Sequence, residues 1–66
     1  MQPHQERVVA ERDELAAKIE SLRKFLDGRI YPTLNADEQS RLAEQFVVMG
    51  EYHTILDERI VAFSTV

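Results

Sequence analysis

Sixty-six residues without a cysteine exclude a disulfide scaffold and any thiolate metal site, so packing alone has to hold the fold. Eight basic residues against twelve acidic ones leave a formal net charge of −4. That is the wrong sign for a chain held on DNA or RNA polymer by phosphate neutralisation, although one or two placed cations suffice for a small anionic ligand. No run approaches the roughly 20 apolar residues of a membrane span, and the start MQPHQERVV lacks the apolar segment of a signal peptide. The expectation is a soluble cytoplasmic protein with no membrane partner.

The first predicted element is a helix over about residues 4–26, with Val8, Leu15, Ile19, Leu22, Phe25 and Leu26 forming an apolar stripe and Pro3 placed acceptably at the first turn. Good helix formers fill its outer surface. Glu14 with Lys18 and Glu20 with Lys24 are i,i+4 pairs in the favourable order, each worth a few tenths of a kcal/mol. Residues 27–35 form the predicted connection: Gly28 offers a left-handed stop, and Pro32 biases Tyr31 towards an extended backbone.

A second helix is expected over about residues 36–63. Asn35 can cap its first donors while Glu38 reaches back, a variant of the capping box. Leu42, Phe46, Met49, His53, Leu56, Ile60 and Phe63 follow alternating steps of four and three, a heptad seam in which only His53 is polar. Val48, Tyr52, Ile55 and Ala62 make a second row beside it, so the apolar arc spans roughly 200°, about twice the width a one-sided surface helix needs. Gly50 inside this helix costs about 1 kcal/mol relative to alanine and is read as a site of close backbone approach. No linker, repeat or low-complexity segment divides the chain. The expected architecture is all-α, a single domain over residues 1–66 made of an antiparallel two-helix hairpin. Below roughly 70–80 residues one core rarely suffices, so the wide apolar arc predicts assembly into a homo-oligomer.

The residues offer no catalytic constellation. There is no Ser/His/Asp set or glycine-rich phosphate loop, and His4 and His53 lie 49 positions apart. Neighbouring carboxylates such as Asp13 with Glu14, or Asp57 with Glu58, diverge on a helix rather than converge on a substrate. The expectation is a protein that is not an enzyme, with no cofactor and no bound metal, His53 being a hydrogen-bonded histidine of the seam. Two cations stand out. Lys18 flanks the first stripe in the row His4, Glu11, Lys18, Phe25. Arg59 interrupts the second apolar row between Ile55 and Ala62, one turn past Tyr52, where a charge needs a partner. That partner is either a carboxylate, Glu58, Glu51 or one from a neighbouring subunit, or an anion shared by copies of Arg59 about a symmetry axis.

Across HQERVVAERDELAAKI, then L-x-x-FL, then EQSRLAEQFVVMGEYHTILDERIVAF, the chain resembles the small phage anti-CBASS proteins that sequester cyclic oligonucleotides, a second-messenger sponge family of hexameric helical hairpins. The resemblance rests on the order of these segments and the short length. It implies a hexamer in the cytoplasm of an infected bacterial host that binds cyclic dinucleotides without cleaving them and so blocks effector activation. It also implies that a lysine of the first helix and an aromatic residue near its start bind the dinucleotide between protomers. Lys18 matches the lysine. The aromatic position falls on Pro3 or His4, which leaves His4 or Tyr52 to stack on the base. Cyclic trinucleotides occupy a separate site in that family, where a late arginine, matched by Arg59, contacts phosphate. The assisting hydroxyl two positions after the lysine is Glu20 here, an anion facing an anionic ligand, so trinucleotide binding is the weaker expectation. The alternative from the residues alone is a structural or partner-binding hairpin that acts through its apolar face. A basic, DNA-reading regulator is disfavoured by the acidic balance.

Overall fold

In a computed structural model, residues 1–64 are described: helix α1 spans Pro3–Leu26, a 3-10 turn spans Tyr31–Thr33, and helix α2 spans Ala36–Phe63. Among the described residues there is no strand. Proline opens α1, where its missing N–H costs nothing, and Gln5 Oε1 accepts from the Gln2 backbone N–H at 2.9 Å. At the start of α2 the Asn35 side chain accepts from the Glu38 N–H at 2.8 Å, but the expected return bond is absent. Glu38 instead takes Arg41 at 2.9 Å, since one carboxylate satisfies a neighbouring guanidinium more strongly than a solvated backbone N–H.

The connection corrects two further expectations. Gly28 does not adopt positive φ. The helix closes by tightening instead: Asp27 stays near φ −86°, ψ −4° and its N–H donates to the Arg23 carbonyl, while the Gly28 N–H donates to Phe25 at 3.1 Å. Glycine is wanted there for space, because a Cβ would stand 3.3 Å from the Lys24 carbonyl oxygen. Tyr31 belongs to the 3-10 turn rather than to an extended stretch, and the chain becomes extended only at Leu34. Gln39 organises this corner. Its side-chain amide nitrogen donates to the Pro32 and Leu34 carbonyls, at 3.3 and 2.9 Å, and its backbone carbonyl accepts from the Tyr31 hydroxyl at 3.0 Å. The loop carbonyls that would otherwise be unpaired are thereby satisfied.

The two helices lie antiparallel in a rod 48 × 14 × 14 Å, too thin for a third layer. All seven seam residues of α2 are buried or half-buried, whereas Val48, Tyr52, Ile55 and Ala62 are exposed. On α1 the matching seam is Gln5, Val8, Arg12, Leu15, Ile19, Leu22 and Leu26. The core is small: Val8, Leu15 and Leu56, with Ile19, Met49, Ile60 and Phe63 packed against it. Leu56 is wholly buried. Leu56→Ala should therefore cost about 2–5 kcal/mol, a large share of what so small a unit can possess, and the urea midpoint measures it. Gly50 does not meet α1; nothing lies within 4 Å of a Cβ built there. The reading of Gly50 as a packing notch thus fails within the chain.

Candidate functional site

Where the seam of α1 should carry an apolar residue four positions past Val8, it carries Arg12. The side chain crosses to α2, with Nη1 3.3 Å from Asp57 Oδ1, and its Nη2 lies 3.1 Å from Asp13 Oδ1. His53 joins from the same seam, Nδ1 standing 3.4 Å from the other Asp57 oxygen. Hydrogen bonds to Asp13 and then to Asp57 hold the Arg12 guanidinium even more firmly protonated than usual. Sequence reasoning passed over this pair. The signal available was the gap in the four-three rhythm between Val8 and Leu15, which falls on residue 12.

The Arg12–Asp57 contact also decides which edges of the helices lie together. Asp57 follows His53 by one turn and so flanks the His53/Ile60 side of α2. The opposite edge of the hairpin must then bring the α1 row His4, Glu11, Lys18 and Phe25 alongside the α2 row Gln45, Tyr52 and Arg59. Lys18 lies six residues beyond Arg12, and Tyr52 lies five residues back from Asp57 on the antiparallel partner. At 1.5 Å per residue they stand within about 2 Å of the same level. Arg59 sits seven residues further along α2, about 10 Å away. Lys18 and Arg59 are both exposed. Neither makes an ion pair with a described residue, a condition they share with Arg7, Lys24 and Arg29, whereas Arg12, Arg23 and Arg41 are paired.

The remaining candidates fall elsewhere. Pro3 is exposed at the tip of α1 and His4 is exposed on its first turn. Glu20, two residues from Lys18, points roughly 200° away from it around the helix. Its carboxylate is held by Arg23, with contacts of 2.6 and 3.0 Å, and the hydrogen bond to Arg23 keeps its pKa below the ordinary value. Within one chain, Glu20 and Lys18 therefore serve different faces. Among the described residues no internal pocket opens and no group of three or more metal-ligating side chains forms. No helix is long and apolar enough to cross a membrane.

Beside the Lys18 edge, α2 exposes Val48 (54%), Tyr52 (42%) and Ile55 (54%). All three belong to the second apolar row of α2, which the single hairpin leaves in solvent. Fold and surface together define a small helical-hairpin protein with an apolar flank and unpaired cations along one edge. The chain belongs to the Sequestin family, whose model matches residues 2–62. It is also similar, at 41% identity over 63 residues, to a protein of Enterobacteria phage T4 named "Uncharacterized 7.5 kDa protein in denB-rIIB intergenic region", with 96% of this chain and 98% of the relative covered. No solved structure matches it.

Proposed function

We propose that this chain is a phage-encoded immune-evasion protein that binds cyclic oligonucleotide second messengers and sequesters them intact, denying them to CBASS effectors in the cytoplasm of the infected bacterium. Cyclic dinucleotides are the primary ligands and cyclic trinucleotides the secondary ones. Membership of a family called Sequestin and the T4 relative support the sequestering role and the phage setting. The single observation that carries the ligand chemistry is the edge on which exposed, unpaired Lys18 and Arg59 flank an exposed apolar row.

A homo-oligomer, with a hexamer as the expected form, covers that row and places copies of Lys18 or Arg59 opposite one another. Symmetric cation pairs match cyclic phosphates with rotational symmetry of their own. Among the described residues no group of three or more metal-ligating side chains forms, and the proposed action is stoichiometric binding rather than cleavage. The exposed row equally suits a hairpin that docks on a partner protein, and ligand titration separates the two readings.

The experiment is calorimetry with a panel of cyclic di- and trinucleotides, followed by denaturation and chromatography of the bound nucleotide. Intact ligand in fixed proportion to protein is expected; no binding, or recovery of linear product, overturns the proposal. Arg59→Ala adds a second readout. With no carboxylate paired to Arg59 among the described residues, the ligand-free variant should be as stable as the parent or more so, while trinucleotide binding weakens. A marked fall in the melting temperature of the ligand-free variant with trinucleotide affinity unchanged would instead assign Arg59 to a structural pair between subunits.

A further inference from the structure

We infer that Arg12 and Asp57 are positioning residues: together they select which of the two apolar rows of α2 receives α1, and so which row and which cations stay on the outside. The pair adds little stability, because its side chains are 31% and 46% exposed and ion pairs open to water contribute little. Its value is directional. Asp57 offers Oδ1 to Arg12 Nη1 at 3.3 Å and Oδ2 to His53 Nδ1 at 3.4 Å, so both carboxylate oxygens are engaged and the contact requires one rotation of α2. A polar pair set in an otherwise apolar helix contact specifies alignment in this way.

The width of the apolar arc makes such a selector necessary. Turning α2 by roughly 100° about its axis, the step between neighbouring residues, would put Ile55 in the place of Leu56 and bring Val48 and Tyr52 into the seam. Apolar burial opposes that turn only through a small core, in which Leu56 is the one fully buried side chain of α2. Charge opposes it more sharply. The turn carries Asp57 to the far side of α2 and swings Arg59, two residues and about 3 Å further on, into the seam beside Arg12. Two guanidinium groups would then compete for Asp13, which Arg12 already holds at 3.1 Å, and would repel each other at close range. Arg12 therefore acts twice, attracted by Asp57 in the observed packing and repelled by Arg59 in the turned one. The same turn would bring Glu51, now exposed on the outer side of α2, to the edge of Lys18. Lys18 lies six residues past Arg12 and Glu51 six before Asp57, so the carboxylate would stand level with the lysine and neutralise it. That consequence for the cation edge rests on the binding reading above, whereas the choice of row is read without ligand.

The test is methyl NMR on the ligand-free chain in three forms: the parent, Arg12→Lys, and Arg12→Met combined with Asp57→Asn. The parent should give one set of resonances, with cross-relaxation between the methyls of Leu15 and Leu56. Arg12→Lys keeps both the attraction to Asp57 and the repulsion from Arg59, so it should give the same single set. The neutral double variant removes both charges and keeps the side-chain volumes, so its melting temperature should equal or exceed that of the parent. It should nevertheless show a second set of methyl resonances, at least about 10% of the intensity, in which Leu15 contacts Ile55. A single set with the Leu15–Leu56 contact alone in the double variant overturns the inference, as does a second set already present in the parent or in Arg12→Lys. A marked fall in the melting temperature of the double variant also overturns it, because the pair would then be a stabilising bridge rather than a selector.

Discussion

Ile55→Asp is expected to dissociate or unfold the protein. In the single hairpin Ile55 is 54% exposed and contributes nothing to the core of Val8, Leu15 and Leu56, so a change confined to the hairpin should be harmless. If copies pack on this row, the new carboxylate must be stripped of water in an apolar contact, which costs several kcal/mol per ion. Each 1.4 kcal/mol weakens association tenfold, and every symmetric copy carries the same defect. Light scattering on the parent should report an oligomer at micromolar concentration, and on the variant a monomer or unfolded chain. A folded monomeric parent, or a variant of unchanged mass and melting temperature, places the row in water.

Lys18→Ala is expected to lose cyclic dinucleotide affinity while keeping the assembly. The ammonium group is exposed beside the seam and pairs with no described residue, so its removal leaves no carboxylate stranded in the hairpin. A hydrogen bond to a charged group is worth about 1.5–3 kcal/mol, which converts to roughly a tenfold to hundredfold loss of affinity. The measured mass should not change. Equal affinity in parent and variant would remove Lys18 from the ligand site, and loss of the oligomer would make it an interface residue instead.

The two variants probe faces that differ in how visible they are in the chain. The α2 seam from Leu42 to Phe63 could be read directly because its period matches the helix and every apolar member is turned inward. Arg12 could not be read this way. A charged residue at a seam position is invisible to a search for apolar periodicity, and only the antiparallel pairing brings Asp57, 45 residues away, within 3.3 Å. The ends of the helices show the same division. Pro3 and the Asn35 cap follow from local chemistry, whereas Glu38 had two competing partners within one turn and Arg41 prevailed.

Length, acidity and periodicity by themselves determined that the described chain is two long helices, that one of them carries more apolar surface than a single neighbour can cover, and that Lys18 and Arg59 are cations at the margins of apolar rows. These properties repeat every few residues and depend only on near neighbours along the helix. Tertiary structure alone decided what lies across from what. The Arg12–Asp57 contact marks the pairing of the helix edges, and that pairing puts Lys18 level with Tyr52 and leaves Gly50 facing open space. The rotation of one helix about its axis relative to another is a long-range packing choice, which no local spacing encodes.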